Sequence, residues 1–224
     1  MKFVFFRKGI KKRCYWCLEE DKKKLTKDHL PPRNIFPKEE RKGLDLITVS
    51  ICNECKKLYQ RSGDYDYRFL CHILLWKHLK SGSINIDERL EKCLSRGSLV
   101  KDKLITEVRS LPVELSNGQI IQYPILTDGR EIIRGVLDST ARGFYYLWNG
   151  EIIPKDVVPE FEFKPTNYFN FQENPLHFQN AAVVKKNIFE FKLLLAAGEK
   201  SKFLCFEFKF YNLEPLPIYY YYEI

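Results

Sequence analysis

The residues of this sequence best suited to chemistry are two pairs of cysteines, each pair separated by two residues. Cys14 and Cys17 form one pair and Cys52 and Cys55 the other, among seven cysteines in 224 residues. Random placement gives about 0.2 such pairs at this composition, so chance does not account for two. Four thiolates in two knuckles are the tetrahedral ligand set that structural zinc takes. We therefore predict one zinc ion at these cysteines; a thioredoxin-type redox motif is the alternative for either pair alone.

A second candidate site is the adjacent acid and histidine, Asp28 and His29, which lie between the two cysteine pairs. A carboxylate can bind a hard divalent cation, and an imidazole can accept a proton from an attacking water. Together these roles satisfy the needs of metal-assisted hydrolysis. The alternative is a surface pair at a turn with no chemical role. The position between two cysteine pairs in a basic segment favours the hydrolytic interpretation.

Residues 10–70 contain an ordered set of motifs: the pair Cys14 and Cys17, Asp28-His29-Leu30-Pro31-Pro32, Phe36-Pro37, Leu46-Ile47-Thr48-Val49, and the pair Cys52 and Cys55. This set resembles the HNH endonucleases of the ββα-metal, or His-Me finger, class, in the bacterial form that carries zinc knuckles. A later stretch, Ala141-Arg142-Gly143-Phe144-Tyr145-Tyr146, is similar to an Arg-Gly-Leu-Tyr-Tyr stretch in the same bacterial proteins.

This resemblance implies a nuclease with two separate metals. The four cysteines would hold a structural zinc, because four thiolates leave no open coordination position. Asp28 would bind Mg²⁺ or Mn²⁺ at the scissile phosphate, and His29 would activate the attacking water. DNA is the expected substrate and RNA is the alternative. The cations expected to contact nucleic acid are Lys11, Lys12, Arg13, Arg33, Lys56 and Lys57.

Two positions depart from the pattern of the family. The asparagine that braces the active-site loop is matched by Asp45, which has no amide donors. The Asn or His that supplies a further metal ligand is matched by Lys56, and a cationic lysine cannot bind a hard cation. Three outcomes stay open: Asn53 or Asp64 replaces the lost ligand, Lys56 contacts phosphate beside a metal with fewer protein ligands, or cleavage is lost. The last outcome would leave a zinc-stabilised nucleic-acid-binding protein on an inactive scaffold.

The distribution of charge is uneven along the chain. Residues 1–60 hold 16 Lys and Arg against 8 Asp and Glu, whereas residues 61–224 hold 21 of each. The formal net charge of +8 therefore lies entirely in the first quarter of the sequence. A basic module on a neutral body fits a polyanionic partner such as nucleic acid. A solvated, solubilising surface is the alternative.

Hydropathy and turn residues predict an α+β protein. We expect a zinc-bound HNH ββα module in residues 1–62, a helical connector in 63–100 and a mixed helix and antiparallel-sheet domain in 101–224. Strands are predicted at 25–30 and 44–51, and a helix follows Cys55. Later predictions are a helix at 64–80, a hairpin at 107–125 that turns at Asn117-Gly118, a helix ending at Asn149, and strands at 188–193, 203–210 and 218–222.

The composition excludes a disordered polyelectrolyte and a membrane bundle, since 45% of the residues are hydrophobic and 29% are charged. The apolar run of four residues before Arg7 is too short for a signal peptide. We therefore expect a soluble, cytoplasmic protein with no membrane partner, and the sequence does not indicate an oligomeric state. Three single cysteines in apolar contexts are expected in the core: Cys71, Cys93 and Cys205.

Overall fold

The structure is a computed structural model of the chain, and its contacts divide the chain into two compact units. One unit combines Met1–Tyr59 with Val136–Ile224, and the other is Gln60–Gly135. The segment boundaries near residues 62 and 100 stay predictions. The residues that the structure describes are 9–41, 44, 46–59, 65–81, 88–89, 108–114, 120–126, 129–161, 178–179, 183–185, 188–197, 200–213 and 216–223.

The N-terminal part of the first unit is an antiparallel pair of strands followed directly by a helix. The three elements are β1 (Leu25–His29), β2 (Thr48–Cys52) and α1 (Asn53–Tyr59). Each strand has only five residues and the helix only seven. An isolated hairpin of this size is marginally stable in water, so these elements need further contacts to stay folded.

The two ends of this hairpin are set by different residues. Leu25 lies opposite Cys52 at one end, and His29 lies opposite Thr48 at the other. β1 stops soon after His29 because the prolines that follow have no N–H group for a ladder. β2 begins at Thr48, four residues later than predicted. The reason is that the N–H of Leu44 makes a local turn bond to the carbonyl three residues before it, which takes the chain out of the ladder.

The second unit contains a helix and a hairpin, as predicted. They are α2 (Tyr65–Ser81), β3 (Val108–Glu114) and β4 (Ile120–Leu126). The hairpin pairs Glu114 with Ile120, and the predicted turn at residues 117–118 lies outside the described residues. Cys71 is buried on α2, as expected for a core cysteine, whereas Cys93 lies outside the described residues.

A long helix and a six-stranded antiparallel sheet complete the first unit. They are α3 (Gly129–Asn149), which begins in the second unit, β5 (Glu160–Phe161), β6 (Phe178–Gln179), β7 (Val183–Lys185), β8 (Phe189–Ala197), β9 (Ser201–Phe210) and β10 (Leu216–Glu223). The strand order is β5-β10-β9-β8-β6, and β7 also pairs with β8. These helices and antiparallel sheets confirm the α+β class. In the described parts of the chain, the helices lack the combination of length and apolar character needed to cross a lipid bilayer.

The core of the first unit is rich in phenylalanine from α3 and the sheet. Phe144 of α3 stacks on Phe191 of β8 with 4.1 Å between ring centroids. Along β9 the side chains alternate as predicted: Phe206, Phe208 and Phe210 are buried, and the charged residues between them are partly exposed. Full burial of one such side chain contributes about 1.5–3 kcal/mol, so this packing accounts for much of the stability of the unit.

Arg142 of α3 is buried inside the first unit, with 1% of its surface exposed. Its Nε donates to Asp138 at 2.7 Å, and its Nη1 and Nη2 donate to three carbonyl groups in the segment 153–157 at 2.6–3.0 Å. The guanidinium carbon lies 4.1 Å from the centre of the Trp16 ring, within the range of a cation–π contact. One side chain therefore connects α3, the segment after it and the N-terminal module.

Leu30 also connects the N-terminal module to α3. A Cβ atom added to Gly143 would overlap the Leu30 side chain. The close approach of the helix to this leucine therefore requires a glycine at position 143. Leu30 is 2% exposed, and its N–H donates to the Ile47 carbonyl at 3.0 Å. Because Leu30 directly follows His29, this contact fixes the end of β1 against the helix.

Replacing Arg142 with leucine should lower the free energy of unfolding by about 3 kcal/mol or more, because Asp138 would keep a largely buried carboxylate without its cation. Arg134→Leu on the same helix is the matched control, since its ion pair with Glu131 is exposed and contributes at most about 0.5 kcal/mol. Denaturant unfolding followed by circular dichroism measures both losses. Equal losses in the two variants would contradict the central role of Arg142.

Candidate metal centre and active site

The two cysteine pairs come together beside β2. The four Sγ atoms lie within 4.8 Å of one another, and the Sγ atoms of Cys17 and Cys52 are 3.7 Å apart. With Zn–S bonds of about 2.3 Å, neighbouring sulfurs of a tetrahedral site are about 3.8 Å apart. All four are free cysteines. The cluster Cys14, Cys17, Cys52 and Cys55 therefore could hold a zinc ion, as predicted.

Backbone hydrogen bonds hold the two cysteine turns in place. The N–H of Cys55 donates to Cys52 Sγ at 3.4 Å, a contact that stabilises a thiolate. The N–H of Tyr15 donates to the carbonyl of Ser50 at 3.0 Å and so ties the first turn to the middle of β2. The two cysteine turns are thus built on the same hairpin that carries the Asp-His pair.

The electrostatics of the cluster favour a bound cation. Burial raises the pKa of the Cys17 and Cys55 thiols above the ordinary value. Burial acts in the same direction on Cys52, but hydrogen bonds, first that from the Cys55 backbone, bring its pKa below the ordinary value. Four ionised sulfurs this close together repel one another. A dication compensates that repulsion, which matches the chemistry of a four-cysteine zinc site.

Asp28 and His29 lie at the end of β1 and are both half-buried. Asp28 Oδ2 accepts a hydrogen bond from the Tyr15 hydroxyl at 3.0 Å, and Oδ1 accepts one from the His29 backbone at 3.2 Å. Burial raises the pKa of Asp28, against the effects of the Tyr15 bond and of the Lys56 charge. Burial lowers the pKa of His29, and Arg33 lowers it further. The imidazole is therefore neutral at pH 7 and able to accept a proton.

Three cations act electrostatically on this pair. Burial has the largest effect on the pKa of His29, the charges of Arg33, Lys56 and Lys27 lower it as well, and Lys56 also lowers the pKa of Asp28. Lys27 and Arg33 are exposed, and Lys56 on α1 is half-buried. Positive charge next to a neutral base suits an anionic substrate such as a phosphodiester. Lys27 was not among the residues predicted from sequence, although its place directly before the Asp-His pair is a signal for it.

The structure does not bring Asn53 to Asp28. The Asn53 N–H donates to the carbonyl of Lys24 at 3.0 Å, and the four strand steps of about 3.3 Å each from there to Asp28 put the two far apart. Asp45 and Asp64 lie outside the described residues.

Within the described ranges, the cysteine cluster is the sole group of three or more His, Cys, Asp or Glu side chains able to share an ion. A hard cation beside His29 would therefore depend on Asp28 together with substrate phosphate and water. Mg²⁺ is commonly bound by one or two protein carboxylates together with phosphate oxygens and water. The single carboxylate of Asp28 is therefore the smallest set of protein ligands that fits such an ion.

The other cations predicted to bind nucleic acid lie at the surface. Lys11, Lys12 and Lys57 are exposed, and Arg13 is half-buried and ion-paired with Glu20 at 2.9 Å. The backbone carbonyl of Lys11 accepts a hydrogen bond from the hydroxyl of a tyrosine on α3 at 2.8 Å. This bond holds the basic segment in place before the first cysteine.

Sequence reasoning missed the two residues that support Asp28. The Tyr15 hydroxyl that donates to Asp28 also lies 2.8 Å from Ser139 Oγ on α3. Burial raises the pKa of Tyr15 well above its ordinary value, so the phenol keeps its proton and stays a donor. The place of Tyr15 between two cysteines was a usable signal. Nothing in the sequence marks Ser139, which lies 124 positions away along the chain.

Comparisons of the chain with family models, with curated proteins and with solved structures find no match. The resemblance to the HNH endonucleases therefore depends on the motifs in residues 10–70 and, to a lesser extent, on the stretch 141–146. The four-cysteine cluster and the α+β class stand on the structure itself, whereas the nuclease assignment stays a prediction.

Purified protein should contain one zinc ion per chain by elemental analysis. Structural zinc contributes on the order of 10 kcal/mol of apparent binding free energy, so chelation should unfold the N-terminal module. Cys17→Ser should lose the metal, whereas Cys205→Ser, at a buried cysteine of the sheet, should keep it. Folded wild-type protein without bound metal would contradict the zinc interpretation.

Proposed function

We propose that this protein is a metal-dependent HNH endonuclease that hydrolyses phosphodiester bonds, with DNA as its main substrate and RNA as the alternative. The observation that carries the proposal is the placement of Asp28 and His29 at the end of β1, on a hairpin that is followed by α1 and bordered by the cysteine cluster. An Asp-His pair at the end of one strand, followed by a second strand and a helix, resembles the arrangement in the ββα-metal class.

In this proposal His29 is the general base. Its neutral imidazole takes a proton from the water that attacks phosphorus, and the half-buried position limits competing contacts with solvent. Lys27 and Arg33 attract the substrate phosphate and offset its charge. When bound, Mg²⁺ or Mn²⁺ at Asp28 supplies Lewis-acid stabilisation of the leaving oxygen. The cysteine cluster has a separate, structural role because four thiolates leave no position for substrate.

We further propose that the protein acts in the cytoplasm. The six cysteines in the described part of the chain form no disulfide bond. Zinc knuckles need reduced thiols, which persist in a reducing compartment. The basic N-terminal segment supports nucleic acid as the partner there.

One observation favours a second candidate function, a zinc-stabilised protein that binds nucleic acid without cleaving it. The charge of Lys56, at the position matched to the further metal ligand of the family pattern, lowers the pKa values of both Asp28 and His29. A positive charge at that place weakens the binding of a divalent cation but attracts phosphate. The same residue would then favour binding over hydrolysis.

With Mg²⁺ or Mn²⁺, the wild-type protein should nick or cut DNA. His29→Ala should lower the cleavage rate about 10²–10⁴-fold and leave zinc content and DNA affinity unchanged, because a general base acts only on the chemical step. Asp28→Ala should also lose activity, with partial recovery at higher metal concentration. Gel-based cleavage assays with elemental analysis measure all of these. Retention of full activity by His29→Ala would refute its role as the base.

Lys56→Asn separates the two candidate functions. If Lys56 merely replaces a lost ligand in an active enzyme, the variant should cut DNA as fast as the wild type or faster. If Lys56 contacts phosphate, the variant should bind DNA more weakly, by about one unit in the slope of log affinity against log salt. The binding function would be established if the wild-type protein cleaved neither DNA nor RNA with either metal, while the Lys56→Asn variant did cleave.

A further inference from the structure

Three side chains form a directed chain of hydrogen bonds that ends at Asp28. The Tyr15 hydroxyl donates to Asp28 Oδ2 at 3.0 Å, and it lies 2.8 Å from Ser139 Oγ. A phenol has a single proton, and here that proton points to Asp28. The Ser139 hydroxyl is therefore the donor in the second bond, and the order is Ser139 to Tyr15 to Asp28. Tyr15 is 1% exposed, so water does not compete for this hydroxyl.

We propose that Tyr15 is a positioning residue that sets the affinity of Asp28 for a divalent cation, and that Ser139 holds Tyr15 in place. This inference rests on the proposed function, in which Asp28 binds Mg²⁺ or Mn²⁺. It adds to that function two residues outside the Asp-His pair, one from the first cysteine turn and one from α3.

The acceptor sites of Asp28 show why its orientation matters. A carboxylate has about four acceptor sites, two on each oxygen. Tyr15 occupies one on Oδ2, and the His29 backbone occupies one on Oδ1 at 3.2 Å. The terminal χ2 torsion of an aspartate otherwise takes a broad range of values. A hydrogen bond on each oxygen therefore fixes the direction of the acceptor sites that remain for a cation. A cation held by one protein carboxylate depends on that direction more than a cation with several protein ligands.

The position of the Tyr15 hydroxyl is itself fixed from two sides. Tyr15 lies between Cys14 and Cys17, and its N–H donates to the Ser50 carbonyl of β2 at 3.0 Å. Its neighbour Trp16 contacts the buried Arg142, which lies one turn after Ser139 on α3. The cysteine turn and the helix together therefore determine where the carboxylate points.

The first readout is the broadening by Mn²⁺ of the imidazole NMR signals of His29 in zinc-loaded protein, with a cleavage-resistant phosphorothioate oligonucleotide present to supply the phosphate ligands. His29→Ala identifies these signals, since the chain has four histidines. Tyr15→Phe should require about 3- to 10-fold more Mn²⁺ for the same broadening, the effect of one lost hydrogen bond to a carboxylate. Ser139→Ala should shift the titration in the same direction by a smaller factor.

Tyr220→Phe is the matched control for these variants. Tyr220 is also 1% exposed, and its hydroxyl donates to a carboxylate, Asp138 Oδ1, at 2.8 Å. This bond joins β10 to α3, and Tyr15, Asp28 and His29 do not take part in it. Tyr220→Phe should therefore leave the Mn²⁺ titration of His29 unchanged, even if it lowers the melting temperature as much as Tyr15→Phe does.

The second readout is the Mn²⁺ dependence of DNA cleavage. In Tyr15→Phe the Mn²⁺ concentration for half-maximal cleavage should rise by the same factor, with a smaller change in the rate at saturating Mn²⁺. Folded, zinc-loaded Tyr15→Phe with wild-type Mn²⁺ dependence would overturn the inference and leave the nuclease proposal intact. If Tyr15→Phe fails to fold, the Mn²⁺ titration of Ser139→Ala serves as the test instead. A Ser139→Ala titration identical to that of the wild type would then overturn the inference.

A third result separates the two proposals. If the wild-type protein cuts no nucleic acid, but its His29 signals broaden at lower Mn²⁺ concentrations than those of Tyr15→Phe, the positioning role is supported and the nuclease proposal is contradicted. Wild-type His29 signals that do not broaden at all would overturn the inference.

Discussion

The closure of two cysteine turns around four sulfur atoms that lie within 4.8 Å of one another is the constraint on which the N-terminal module depends. The strands and helix between and after the cysteine pairs are too short to bury a core of their own. In the proposed zinc-bound state, the cation compensates the repulsion among four thiolates, and the closed turns determine much of what lies around them. Tyr15 and Trp16 take their places because they lie inside the first turn, and α1 begins directly after Cys52.

The second support of this module is α3, and it acts through contacts of three different kinds. Trp16 meets a buried guanidinium, Leu30 packs against a helix position without a side chain, and Tyr15 bonds to Ser139. Each contact reaches a residue next to a cysteine or next to His29. The geometry of the candidate site thus depends on a helix that is remote in sequence, and a substitution on one face of that helix acts on Asp28 without touching it.

Local patterns in the sequence predicted the longer elements and the four clustered cysteines, but not the short strands β5, β6 and β7. Spacing alone identified the four cysteines, and alternation or turn residues placed the later helix, hairpin and strands. The start of β2 was wrong because a turn bond at Leu44 prevailed over β-branched content. Ser139 gave no signal, and Arg142 was noted only as part of the stretch 141–146, since burial and a partner 124 residues away arise only from the fold. The motif placed Lys56 near the proposed metal, but the effect of its charge on Asp28 could be seen only once α1 was placed against the hairpin.

The first unit is built from two stretches of chain, Met1–Tyr59 and Val136–Ile224. During synthesis the last cysteine ligand therefore leaves the ribosome long before the helix that covers Trp16 and Leu30. At about 5–20 residues per second, translation of the intervening segment takes roughly 4–15 s. All four cysteines are present in the growing chain once Cys55 has been added, so the cluster can form while the apolar surface that α3 later covers is still open. If the cluster takes the proposed zinc ion, the order of translation places metal binding before packing, and zinc supply during synthesis affects how long that surface is exposed.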